Sequence, residues 1–266
     1  MKNHISLFIF AIALLSGPVS ANDLSMTAVK DTLASIPGEH NYIYVRTPLG
    51  EDEEKNYDEI TFYDGLGREL DFAQSYGADR AGAIMAHHHL IEYDSLGRKE
   101  KQWLSTNTSF SYMSPEDLKG GVLWDYHDAG KRSYLQTNYE SSPLNRITEQ
   151  YGVGDAWGDH PARMEYLTNI PADSLRCSFY FIDDNDSLIR RGDYRSGELQ
   201  VTKATDEDGK PTYTFVDKQG RTLLTRLGRG NQQADTYFVF DRFGRIRYVL
   251  PPMINDEISA GNLDLY

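Results

Sequence analysis

An all-β fold with little helix is predicted by three features of this 266-residue sequence. A five-residue pattern, Asp-x-x-Gly-Arg, recurs along the chain. The segments on either side of it are rich in β-branched and aromatic residues, and helical periodicity is confined to two short stretches. The pattern stands at Asp64-Gly65-Leu66-Gly67-Arg68, Asp94-Ser95-Leu96-Gly97-Arg98, Asp217-Lys218-Gln219-Gly220-Arg221 and Asp241-Arg242-Phe243-Gly244-Arg245. A Lys variant follows the same spacing at Asp206-Glu207-Asp208-Gly209-Lys210. The chain's own residue frequencies give only about 0.1 exact matches by chance, so the recurrence is a true internal repeat.

The pattern has a mechanical reading as a hairpin turn. The Asp side chain accepts a backbone N–H of its own turn, two residues follow in a type I turn, and Gly takes the left-handed conformation that closes a three-residue loop. Positive φ is therefore expected at Gly67, Gly97, Gly220 and Gly244. The Asp and Arg flanking each loop then face each other as a cross-strand ion pair contributing about 0.2–1 kcal/mol.

The flanks supply the strands. Ile60-Thr61-Phe62-Tyr63, Leu90-Ile91-Glu92-Tyr93, Tyr213-Thr214-Phe215-Val216 and Tyr237-Phe238-Val239-Phe240 precede the turns. Thr222-Leu223-Leu224-Thr225 and Ile246-Arg247-Tyr248-Val249 are return strands. Residues 198–250 read as a meander of about five strands. The architecture expected is an antiparallel meander of such hairpins forming an open, curved β-shell segment.

Further strands are expected at 134–137, 164–167 and 178–182, and helix at 23–35 and from Ser114-Pro115-Glu116-Asp117-Leu118. Residues 105–117 and 152–161 read as loops. The chain thus divides into a leader (1–21), an N-terminal segment with the first repeats (22–103), an irregular connecting region (104–175) and a β-meander with further repeats (176–266).

The leader has the layout of a secretory signal: Lys2 and His4, an apolar run over residues 5–15, and small residues Val19 and Ala21 before a cleavage point. That run is shorter than the roughly 20 residues a membrane helix needs, so stable membrane insertion is not expected. Export to the periplasm, cell surface or medium is. Cys177 stands alone, so stability must come from burial, and Cys177 reads as a packed small hydrophobe. The formal charge of −13 repels phosphate backbones, which argues against nucleic acid as a partner.

With these turns in view, the chain resembles the RHS/YD-repeat family, named for the Tyr-Asp that opens each turn. Tyr63-Asp64 and Tyr93-Asp94 keep that pair, while Val216-Asp217 and Phe240-Asp241 lack the Tyr. Asn41-Tyr42-Ile43-Tyr44-Val45-Arg46, Ser142-Pro143-Leu144-Asn145-Arg146, Gly154-Asp155-Ala156-Trp157, Glu165-Tyr166-Leu167-Thr168-Asn169 and Arg247-Tyr248-Val249-Leu250-Pro251-Pro252 resemble the N-terminal region of long secreted members. The resemblance implies a β-rich shell built with further repeats, which in the family can enclose a C-terminal cargo or effector domain. The self-cleaving C-terminal core of the family has no counterpart in these residues, so neither autoproteolysis nor toxin activity is carried over.

Other constellations are weaker. His87-His88-His89 reads as a solvated strand rather than a metal site, since no third ligand has a recognisable spacing. Asp183-Asp184-Asn185-Asp186-Ser187 fails as a calcium loop because Leu188 and Tyr194 stand where Gly and Glu are needed, leaving an acidic turn. Glu51-Asp52-Glu53-Glu54 reads as a solvated loop. Gly152-Val153-Gly154 lacks a third Gly and a βαβ context. No catalytic constellation emerges, and neither enzyme activity nor a cofactor is expected. The expected role is structural. The rival is a surface glycan-binding or adhesion module using the 18 Tyr and 3 Trp. Because 259–266 carry no closing turn, an uncovered edge is expected near residues 246–250.

Overall fold

Residues 26–38, 40–48, 56–78, 83–127, 130–228 and 233–252 are described by the structure, a computed structural model. The leader, the acidic stretch 51–54 and the final segment 259–266 lie outside the described residues. The fold is mostly antiparallel β, with 51% strand and 11% helix, and its sheet is open rather than closed. It divides into two compact units: the described residues up to Thr137 together with Tyr151–Gly158, and 138–150 together with 159–252.

In the first unit, helix α1 (Met26–Ser35) precedes strands β1 (Asn41–Pro48), β2 (Asn56–Tyr63), β3 (Glu69–Ala78) and β4 (Ile84–Tyr93). Each strand pairs with its sequence neighbour, because each is joined to the next by a short connection that can only return antiparallel. The second half of β4 pairs with β5 (Lys99–Trp103) and the first half with β6 (Thr106–Ser109). β5 in turn pairs with β7 (Tyr134–Tyr139). Burial alternates along β2 and β4 as a two-residue pleat requires. Ile60, Phe62, Ala73, Ile84 and Ala86 build one core with Val29 and Ile36 from the α1 region and Phe110.

Helix α2 (Pro115–Asp125) starts where the sequence places it. The Ser114 hydroxyl accepts the Asp117 N–H at 3.1 Å, Pro115 sits in the first turn, and Glu116 and Asp117 complement the positive end of the helix. It buries Leu118 and Val122.

In the second unit, β8 (Ile147–Tyr151), β9 (Ala162–Thr168), β12 (Gln200–Thr205), β13 (Pro211–Val216), β14 (Thr222–Leu227), β15 (Ala234–Phe240) and β16 (Ile246–Leu250) lie side by side in that order, all antiparallel. The five-strand meander expected over 198–250 is β12 to β16. A separate hairpin, β10 (Ser178–Ile182) with β11 (Leu188–Asp193), packs Tyr180 and Leu188 against Val239 and Leu250. Cys177 lies in the main core with Leu199, Val201, Phe215 and Leu224. Burial pushes its thiol up to about 12, so it stays protonated and packs as a small apolar group.

The span 104–175 is more regular than expected. Residues 105–117, read as loop, contain β6 and the start of α2, and β7, β8 and β9 follow. The polar run Thr106-Asn107-Thr108-Ser109 carries no hydrophobic alternation. It becomes a strand because β4 presents free backbone groups opposite it. Among the described residues, no helix is long and apolar enough to cross a membrane.

Candidate functional site

The repeated turns share one geometry, set by backbone rules alone. At the first, Asp64 N–H donates to the Arg68 carbonyl at 2.9 Å and Gly67 N–H to the Asp64 carbonyl at 3.0 Å. Asp64 Oδ1 accepts the N–H groups of Leu66 and Arg68 at 2.8 and 2.9 Å, and Asp64 Oδ2 accepts Arg68 Nε–H at 2.7 Å. One carboxylate therefore closes the loop and pairs across it. The same set recurs at Asp94 with Arg98, Asp217 with Arg221, and Asp241 with Arg245. At Asp206 the backbone contacts persist, with Lys210 N–H on Asp206 Oδ1 at 2.7 Å. The Lys210 amine turns away to Asp208 at 3.2 Å, because one flexible amine cannot reproduce a planar guanidinium.

Gly67, Gly97, Gly209, Gly220 and Gly244 have φ between +76° and +81°. A Cβ added at Gly220 would meet nothing within 4 Å, so a substitution there reads backbone strain alone. Gly220→Val is expected to lower unfolding free energy by about 1–2 kcal/mol in urea titration, and an unchanged midpoint would contradict the turn model.

The turn carboxylates are tuned by these bonds. The Arg68 backbone N–H, then the Arg68 guanidinium and the Leu66 N–H, hold Asp64 below the ordinary 3.8, and Arg245 does the same for Asp241. At Asp94 and Asp217 burial pushes upward, but the Arg98 and Arg221 contacts outweigh it and the net shift is downward. Glu140, held by Arg146 and Ser142, falls to about 2. A depressed folded pKa contributes stability that is present above the unfolded value and lost as pH falls through the folded one. Stability is therefore expected to be level above pH ~5 and to decline from pH ~4 downward, with a shallower decline in Arg221→Gln. A slope unchanged by that substitution would contradict the assignment.

Two further turns escaped the sequence pattern. Asp183-Asp184-Asn185-Asp186-Ser187 adopts the backbone geometry of the repeat, without the Arg pair because Ser187 stands in its place. Asp183 N–H donates to the Ser187 carbonyl at 3.0 Å, and Asp183 Oδ1 accepts the Asn185 and Ser187 N–H groups. Asp186 stands in the Gly position with φ +63°, which Asp tolerates better than most residues. In Ser142-Pro143-Leu144-Asn145-Arg146, Asn145 has φ +54° and Ser142 Oγ accepts the Leu144 N–H. The acid has moved outside the loop, where Glu140 takes Arg146 in a two-pronged pair at 2.8 and 2.7 Å. Finding them from sequence would have required Asp or Asn in place of Gly together with a second relaxation, Ser187 for Arg at the first and Ser142 for Asp at the second.

Successive turns also touch. The Arg68 guanidinium lies 4.5 Å from the ring centre of Tyr93, the residue that opens the next turn, and Tyr93 OH donates to the Glu69 carbonyl at 2.7 Å. Arg146 repeats this with Tyr166, at 4.5 Å, and Tyr166 OH donates to the Ile147 carbonyl at 3.1 Å. In both cases the acceptor is the residue following the Arg. Arg221 lies 5.1 Å from Phe240, which opens the turn at Asp241. At these three sites the Arg links its own carboxylate to an aromatic of a later strand, and Tyr93 of its Tyr-Asp pair acquires a reason: it offers a ring face and a hydroxyl to the preceding turn. Arg245 instead lies 5.2 Å from Phe243 of its own turn.

Buried polar pairs hold the interior. His88 is not solvated, contrary to expectation. Its relative exposure is 1%, with Nδ1 at 2.7 Å from Asp71 Oδ2 and Nε2 at 2.9 Å from the Ser109 carbonyl. It points inward because it shares a pleat face with Ala86 and Leu90, while His87 stacks on Tyr76 and His89 lies against Phe72 on the other face. The carbonyl can only accept, so Nε2 carries a proton and Nδ1 faces the carboxylate. Asp58, fully buried, takes Arg46 through both oxygens and the Tyr44 hydroxyl through Oδ1. In the second unit Arg226 binds Asp235 through two nitrogens and the Ser174 and Arg176 carbonyls through Nη1. Among the described residues no three His, Cys, Asp or Glu side chains are grouped as a metal site.

Residues 41–168 match the family model described as "Domain of unknown function (DUF6443)". No curated protein matches. Two solved structures are similar: the TcdB2-TccC3-Cdc42 complex at 14% identity and TM-score 0.45 over 79% of this chain, and TcdB2-TccC3 at 13% and 0.46 over 90%. This chain spans about a tenth of the length of each, 10% and 12%.

Proposed function

We propose that this chain is a non-catalytic structural segment of an exported RHS-type protein, one stretch of a β-shell that continues into further repeats. The observation that carries the reading is the contact between turns. An Arg that closes one hairpin also grips the aromatic opening the next, at Arg68 with Tyr93 and at Arg221 with Phe240. Such a device serves cohesion along an array. Its partners would be further repeats and the cargo or effector domain that a shell encloses. Its location would follow from the leader at residues 1–21.

The test uses the edge. β16 pairs with β15 on one side, and Ile246 and Val249 on it are 54% and 44% exposed. An unpaired edge joins other strands. In light scattering, residues 22–266 are expected to show concentration-dependent association that Val249→Lys abolishes. A monodisperse monomer whose amides 246–250 resist hydrogen exchange would contradict the reading.

A further inference from the structure

Between β11 and the turn at Asp217 lies a cleft of about 610 Å³ whose lining includes Phe179, Tyr194, Arg191, Arg195, Glu198 and Lys218. An adjoining groove shares Phe179 and Tyr194 with it. The charges of the cleft are unevenly satisfied. Asp193 accepts the Ser178 hydroxyl, Glu198 accepts the Arg195 backbone N–H at 2.9 Å, and Asp217 is held by Arg221. The guanidinium groups of Arg191 and Arg195 and the amine of Lys218 meet no partner among the described residues, and all three residues are exposed. On a chain of formal charge −13, three unpaired cations around one concavity are a local reversal of sign.

The geometry points to a binding site for an acidic saccharide, a sugar chain bearing carboxylates. The cations match its carboxylates by charge-assisted hydrogen bonds. The rings of Phe179 and Tyr194, 4.8 Å apart and inclined at 57°, offer an apolar wall to the C–H face of a sugar ring. Asp193 and Glu198 accept hydroxyl protons, which sugars carry in number. The same carboxylates repel a phosphodiester chain, which has few hydroxyls to offer them. A cleft mixing both signs with aromatic faces therefore favours a uronate chain over nucleic acid. This site is independent of the shell reading, since it uses side chains that take no part in contact between turns.

Isothermal titration of residues 22–266 with trigalacturonate tests it. Saturable binding is expected, at least tenfold tighter than for neutral galactotriose and weakened by salt. The variant carrying Arg191→Gln, Arg195→Gln and Lys218→Gln is expected to lose at least tenfold in affinity while keeping its melting temperature, because all three side chains are exposed and unpaired. Absence of saturable binding, equal binding of galactotriose, affinity unchanged in the triple variant, or tighter binding of hexaglutamate or inorganic phosphate than of trigalacturonate would each overturn the proposal.

Discussion

Replacing His88 by Leu is expected to destabilise the first unit by about 3–5 kcal/mol, because it leaves the Asp71 carboxylate buried without a partner. Asp71 is 3% exposed, and among the described residues its Oδ1 meets no hydrogen-bond partner, which leaves the contact between Oδ2 and His88 to hold its side chain. The Ser109 carbonyl loses its donor in the same stroke. The double variant Asp71→Leu with His88→Leu removes both polar side chains and is expected to recover most of the loss, since breaking a buried pair costs far more than replacing it with apolar groups. Urea unfolding of the two singles and the double reads this directly. A double variant as unstable as the sum of the singles would show that the pair is not the cause.

Arg226→Met is the second large effect, expected at about 3 kcal/mol in the second unit. Arg226 is 3% exposed and ties three places together: Asp235 on β15, and the carbonyls of Ser174 and Arg176 in the segment entering β10. Met fills similar volume but donates nothing, so the two carbonyls lose the Arg226 donor at once and Asp235 is left with the Tyr237 hydroxyl at 3.4 Å. Because Asp235 keeps a side-chain exposure of 25%, water recovers part of its loss. Arg226→Lys is expected to restore less than half, since one amine cannot serve three acceptors set for a planar fork. Full rescue by Lys would mean that charge alone, and not the fork, holds the segment.

How far the chain could be read beforehand differs from one element to the next, for physical reasons. The Asp-x-x-Gly-Arg turns were legible because a left-handed residue between two strands leaves little choice but Gly. The rule missed the turn at Asp183 because Asp186 accepts the same conformation at modest cost. It missed the Glu140 to Arg146 pair because the acid sits two residues outside the loop. His88 was misread because three consecutive His look solvated, yet the pleat phase of β4, with Ile84, Ala86 and Leu90 facing inward, already placed His88 on the buried side. The grip of Arg68 on Tyr93 spans 25 residues and depends on strand register, which no local pattern carries. The anionic-ligand cleft was equally hidden, since Arg191, Arg195 and Lys218 are brought together only when the β10 and β11 hairpin meets the Asp217 turn.

Coupling of one hairpin to the next through Arg68 and Arg221 is tested most directly by a double-mutant cycle. Arg68→Ala, Tyr93→Leu and the double variant would be unfolded in urea, with Arg221→Ala and Phe240→Leu as a second cycle. The account predicts a coupling free energy of about 0.5–1 kcal/mol at each site. Effects that add without coupling in both cycles would show that the Arg serves its own turn only, and would contradict the account.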